Sequence, residues 1–174
     1  MTTALNNVDI ETVAGLAGHI SENPDTGDTV WSASVTWNGG FRSEAAIRDF
    51  APLRSDEPTA LGGTDTAPNP VEQLLAALGN CLVVGYAANA TARGIEIENL
   101  EIQIDGDLNL ESFLGLTPGH AGFNDIRARV KLDSPASPEE IDELHTTVLA
   151  SSPVGHTLGA AIPVSVELDS KVSA

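Results

Sequence analysis

The sequence predicts an α+β domain, and three observations carry that expectation. A stretch from residue 69 to 94 reads as one long helix, with no charge between Gln73 and Ala92. Several segments alternate apolar and polar residues with the period of half-buried strands. The order is hairpin, long helix, two strands, helix, strand, which is not the regular βαβ alternation of a doubly wound sheet.

Each element has local support. Residues 1–29 read as a polar, weakly structured segment, with a turn cluster "SENPDTGD" at 21–28. "VWSASVTW" and "FRSEAAIRDF" read as two strands reversed at Asn38, Gly39 and Gly40, residues that tolerate positive φ. Arg42 and Arg48 then share a strand face. Residues 51–68 are rich in Pro, Gly, Asp and Thr, and the Gly62–Gly63 pair marks a shaped loop ahead of the helix.

The helix opens with a full set of start signals: Asn69 as N-cap, Pro70 at N1 and Glu72 at N3, with Gly94 as the stop. Such a helix runs roughly 36 Å, enough to cross a domain. Next, "IEIENLEIQIDGDL" alternates with a change of parity at Asn99–Leu100, which predicts a strand with a bulge there. Ile126, Ala128, Val130 and Leu132 alternate with Arg127, Arg129 and Lys131, giving a second strand with a basic stripe. Ser137, Pro138, Glu139 and Glu140 repeat the capping grammar before a helix that turns Ile141, Leu144, Val148 and Leu149 inward. "IPVSVEL" reads as a closing strand. The domain then spans 30–174.

Composition narrows the function classes. The 174 residues are 41% hydrophobic but only 4% aromatic, so the core is packed by small aliphatic side chains. A net charge of -17 repels phosphates, which argues against nucleic acid and anionic membranes as partners. The uncharged run approaches the length of a bilayer span, but Gly79, Asn80, Gly85, Tyr86, Asn89 and Thr91 interrupt it. One cysteine permits no internal disulfide, and the N-terminal residues lack a secretory pattern, so a reducing cytoplasmic home is expected.

Cys81 is the residue with chemistry to offer, and two readings stay open for it. It shares a helix face with Leu74, Leu78 and Gly85, and an apolar setting without a cation makes a thiol inert. Activation needs a cation from another element, and Arg42 and Arg48 of the hairpin are the candidates. Glu72 lies nine residues before Cys81, roughly 180° around the helix, so it is a cap rather than a general acid. His19, His120, His145 and His156 show no metal-ligand spacing, and no metal or cofactor is expected. Gly62 and Gly63 lack the Lys–Ser/Thr pairing of a phosphate loop. Ser152 and His156 lack the turn of a serine nucleophile.

"LGGTDTAPNPVEQLLAALGNCL" resembles the signature of the OsmC/Ohr superfamily, the osmotically induced and organic hydroperoxide resistance proteins. "LASSPVGHTLGAAIPVSVEL" is similar to the same family's C-terminal segment, so the resemblance spans roughly residues 30–169. It implies an intertwined α+β homodimer, with the Cys-bearing helices at its centre and two sites at the interface. It also implies a peroxidatic role for Cys81, an assisting arginine (Arg42 or Arg48), and a small organic hydroperoxide as substrate.

Two positions depart from the pattern. Ser152 precedes Pro153 where the reductases carry a resolving cysteine, so turnover needs an external thiol. Val71 stands where they carry an acid after the Pro of the turn. The resemblance therefore leaves a one-cysteine peroxidase beside a non-peroxidatic dimer that binds a small apolar ligand against Cys81. A third possibility is a scaffold with a solid interior.

Overall fold

The computed structural model describes residues 4–169. Its elements in chain order are α1 (Ile10–Glu22), β1 (Ser34–Trp37), β2 (Ser43–Ala46), β3 (Leu53–Ser55), α2 (Pro70–Ala92), β4 (Asn99–Leu108), α3 (Leu110–Phe113), β5 (Phe123–Asp133), α4 (Pro138–Ser151) and α5 (Pro153–Gly159), with 3₁₀ turns at 5–7, 24–27 and 59–61. The α+β class stands as expected. Strands β1, β2 and β3 form one antiparallel sheet, and β4 pairs with β5 in another.

α2 is the organising element. Asn69 and Glu72 close a capping box: the Asn69 side chain accepts the Glu72 N–H at 2.9 Å, and the Glu72 carboxylate accepts the Asn69 N–H at 2.8 Å. Gly94, at φ +73°, turns the chain out of the helix. Leu78, Leu82, Tyr86 and Ala90, spaced by four, form its buried line and meet Ile95, Leu144 and Val148 in the core. The helix is apolar and long enough to cross a membrane by length and composition. In the fold it packs instead against β4, α4 and α5.

The β4–β5 ribbon turns Leu100, Ile102, Ile104, Ile126, Val130 and Leu132 toward that core. On its outer face the register sets Glu101 opposite Lys131 and Asp105 opposite Arg127. Lys131 Nζ donates to Glu101 at 2.8 Å, and Arg127 pairs with Asp107 and Asp125. Hydrogen bonds from its guanidinium to Asp107, then Asp125, hold the Arg127 pKa above its ordinary value. The basic stripe read from the sequence is thus matched by cross-strand acids.

Several expectations need correction. The N-terminal segment is not weakly structured: Asp9 caps α1 by accepting the Thr12 N–H, and 13 residues form the helix. Asn6 ties the segment to the C-terminal end of α2, donating to Thr91 and the Ile95 carbonyl and accepting the Ile97 N–H. The hairpin is present, but its strands are shorter than the sequence suggested. The 51–68 loop contributes a strand, β3, paired to β2. β4 begins only at Asn99, with Ile95 already in the core, and its register shift lies at Asp107/Leu108, where Gly106 admits the Phe123 ring. On α4, Leu149 is exposed, because four-residue spacing on one face already fills the contact with Leu144 and Val148.

α5, unforeseen, follows α4 at a sharp corner where Pro153 cannot continue the α4 hydrogen bonds. The closing strand does not form among the described residues: 161–169 run without secondary structure, and Val164, Val166 and Leu168 are exposed. The hairpin sheet is similarly uncovered, with Trp31 83% and Trp37 73% exposed.

Between the hairpin sheet and α2, residues 56–66 form a knot. Asp56, 1% exposed, accepts the N–H groups of Glu57, Thr64 and Thr66 and both threonine hydroxyls. The Thr64 hydroxyl above all, against the opposing effect of burial, holds its carboxyl well below the usual carboxylate range. The Gly63 N–H bonds Pro58 O at 3.1 Å, and a Cβ on Gly63 would sit 1.8 Å from Glu57 O. The knot leads directly to the cap of α2: Ser55 donates to Pro68 O at 3.2 Å, and Gln73 spans Arg54 O and Pro68 O.

Candidate functional site

Cys81 sits one position before buried Leu82, on the flank of α2 that meets the α4–α5 corner. Two glycines let neighbours approach this helix closely. A Cβ on Gly85 would lie 3.0 Å from Val148 on α4, and one on Gly79 would lie 3.4 Å from Ile104 on β4. Below Cys81, Leu78 reaches toward Gly155 of α5. The thiol is therefore framed by Leu78 and Gly85 along its own helix and by residue 152 across from it.

Residue 152 is the corner itself. Ser152 ends α4, begins α5 and is 5% exposed. Its Oγ lies 3.4 Å from the Cys81 Sγ and also accepts the Gly155 N–H at 3.1 Å. Cys81 is free and half-buried, so the sulfur is neither sealed in the core nor fully in solvent. A half-exposed thiol with one hydroxyl partner can act as a nucleophile toward a small electrophile.

The arginines do not join it within one chain. Arg42 lies before β2, with its Nε 3.4 Å from Gly39 O in the hairpin turn, and lines a cleft with Glu44, Arg54 and Thr66. Arg48 lies beyond β2, in a left-handed turn at φ +49°, with its guanidinium 4.6 Å over the Phe50 ring. They do not share a strand face, because β2 ends at Ala46. Among the described residues neither makes a hydrogen bond to Cys81.

Other candidates resolve into structural roles. Glu72 is spent on its cap, as the sequence indicated. Val71 lines an apolar cavity of about 410 Å³ at the head of α2 with Leu61, Leu75, Leu108, Phe113 and Phe123. Ser152 and His156 form no couple, since the His156 ring bonds Ala150 O at 3.0 Å. No His, Cys, Asp or Glu cluster suited to a metal occurs among the described residues.

One pairing escaped the sequence reading. Tyr86, 1% exposed, hydrogen-bonds His145 Nδ1 with the rings stacked at 6.1 Å, and burial raises the phenol's pKa. Its signal was a lone tyrosine on the buried line of α2, whose hydroxyl had to find a partner on the facing helix.

A long central helix carrying one half-buried thiol, clasped by an antiparallel ribbon and two helices, defines a thiol-bearing α+β protein. The sequence family described as OsmC-like protein matches residues 63–167, more than half of the chain. The chain belongs to that family, within the OsmC/Ohr superfamily.

Solved structures agree on the fold. An OsmC-like protein from Mycoplasma pneumoniae is 23% identical with a TM-score of 0.65, covering 76% of this chain and 89% of its own. An organic hydroperoxide resistance protein OsmC from Legionella pneumophila is 18% identical with a TM-score of 0.55, covering 75% and 91%. One from Elizabethkingia anophelis, with thiocyanate bound, is 16% identical with a TM-score of 0.55, covering 75% and 89%. Comparison with curated proteins finds no match.

Proposed function

We propose that the chain is a thiol-dependent peroxidase that reduces organic hydroperoxides with a single cysteine. The observation that carries the reading is the position of Cys81: a free, half-buried thiol on the central helix of an OsmC-like fold, facing residue 152 across 3.4 Å. The names of the organic hydroperoxide resistance proteins that share the fold support it.

The chemistry follows from the residues. The Cys81 thiolate attacks an oxygen of ROOH; the S–O bond forms, the O–O bond breaks, and the leaving alkoxide takes a proton to become ROH. Cys81 is left as a sulfenic acid. Ser152 offers no second thiol, so an external thiol attacks the sulfur and releases water as a mixed disulfide forms. A second external thiol then frees Cys81 and leaves as the disulfide. Arg48 or Arg42 is the cation that assists the sulfur or the peroxide.

That arginine would come to the sulfur in a homodimer. The chain exposes 13,023 Å², whereas a compact 18.0 kDa monomer exposes roughly 8,000 Å². Val30, Val35, Val164, Val166 and Leu168 lie among the exposed apolar residues, an excess that a second copy would cover. A lone thiol without a disulfide partner suits a reducing cytoplasm.

A second reading is an OsmC-like dimer that binds a small apolar ligand at its interface pocket, with Cys81 as packing; the mainly apolar cavity at Val71 favours ligand binding, though Cys81 does not line it. Cumene hydroperoxide consumption, with dithiothreitol or glutathione as reductant, separates the two. Cys81→Ser is expected to fall to the uncatalysed rate with its fold intact. Equal consumption by wild type and Cys81→Ser would remove the peroxidase reading.

A further inference from the structure

The hydroxyl at the α4–α5 corner has a geometry that its capping role does not exhaust. Ser152 Oγ accepts the Gly155 N–H at 3.1 Å, which fixes the oxygen and leaves its proton free to turn. Its other side-chain neighbour in hydrogen-bonding range, among the described residues, is the Cys81 Sγ at 3.4 Å. The contact survives ionisation of the sulfur. A neutral thiol can donate to Oγ, and once the thiol proton is gone the hydroxyl donates to the charged sulfur. The pair is removed from competing water on the Ser152 side, which is 5% exposed, so the hydrogen bond acts in a setting of low polarity.

We propose that Ser152 is a positioning residue for Cys81: its hydroxyl donates to the sulfur, holds it against the α4–α5 corner and stabilises negative charge on it. The proposal rests on reading Cys81 as the nucleophile. It gives position 152 a task in a one-cysteine protein, where a thiol at that place would instead have closed a disulfide. The Leu78 and Gly85 sides of the frame carry no donor, so Ser152 is the described group on this flank able to stabilise that charge.

The test is the rate of Cys81 alkylation by iodoacetamide against pH, a reaction in which the S–C bond forms and iodide leaves without any need for peroxide. In Ser152→Ala the profile is expected to move to higher pH, with the rate at pH 7 falling roughly tenfold, as befits loss of a hydrogen bond to a charged group. Ser152→Thr restores the wild-type profile. Superimposable wild-type and Ser152→Ala profiles would overturn the proposal.

Ser152→Cys covers the event that losing the α5 cap unfolds the alanine variant. One equivalent of hydroperoxide should convert its Cys81 to sulfenic acid, which the thiol at 152 then attacks, forming an S–S bond and expelling water; both free thiols disappear. Retention of a dimedone-reactive sulfenic acid in Ser152→Cys would show that the side chains do not face each other. Failure of the hydroperoxide reading looks different. It abolishes Cys81-dependent peroxide consumption in wild type and leaves the alkylation profiles as stated.

Discussion

Gly63→Ala is expected to destabilise the protein by about 3 kcal/mol or more, measured as the loss of unfolding free energy in urea. A Cβ at this position would meet the Glu57 carbonyl oxygen at 1.8 Å, with the Glu57 carbonyl carbon at 2.4 Å. Both atoms are backbone, so no rotamer change relieves the clash. The knot must open, and it is the knot that hands the chain to the Asn69 cap. Against this, alanine restricts the unfolded chain and returns at most about 1 kcal/mol, so strain wins. Gly94→Ala is the control: its φ of +73° disfavours a side chain, but nothing lies within 4 Å, and a cost of about 1 kcal/mol is expected. Equal costs for the two variants would mean that close backbone packing around Gly63 is not what holds the loop.

Asp56→Asn is expected to lower the urea midpoint at pH 7 and to flatten its acid dependence. The folded carboxyl is held below its ordinary range, so on acidification the unfolded chain takes up the proton first. Asp56's contribution is therefore complete above about pH 4, the ordinary carboxylate value, and is lost as the pH falls toward the depressed folded value. The difference between wild-type and Asp56→Asn midpoints isolates this group from the other carboxylates. It should be largest near neutrality and shrink below about pH 4. A difference that stays constant from pH 7 to pH 3 would show that the Thr64 and Thr66 hydrogen bonds do not depend on the charge.

What the sequence made legible follows from which interactions are local. Asn69 with Glu72, and Ser137 with Glu140, are contacts within four residues, and both helix starts are present. The alternation in 99–108 likewise reports a face that the strand itself defines. α1 was missed because its polar surroundings masked Asp9 and Thr12, a local cap, and a stripe with Val13 and Leu16 exposed. The knot was legible as a shaped loop through its glycines. Its hub was not, because Asp56 draws on donors eight and ten residues away.

The site divides the same way. Cys81 on a helix was readable from periodicity, and residue 152 beside it came only through the family resemblance, since 71 residues separate the two. Placing Arg42 and Arg48 on one strand face failed because the chain leaves β2 at Ala46 and turns left-handed at Arg48. Alternation over 162–168 describes a strand that wants a neighbour, and the described residues of one copy do not supply it.

The two tryptophans of the sequence, Trp31 just ahead of β1 and Trp37 at its end, are both exposed and take no part in the aliphatic core around Leu82, Leu144 and Val148. Selectively excited tryptophan emission therefore watches that exposed region only. Docking of a second copy on that surface would shift the emission to the blue as concentration rises, while loosening around α2 and α4 would pass unseen by fluorescence and register in far-ultraviolet circular dichroism. The protein carries a built-in reporter that separates association from core unfolding.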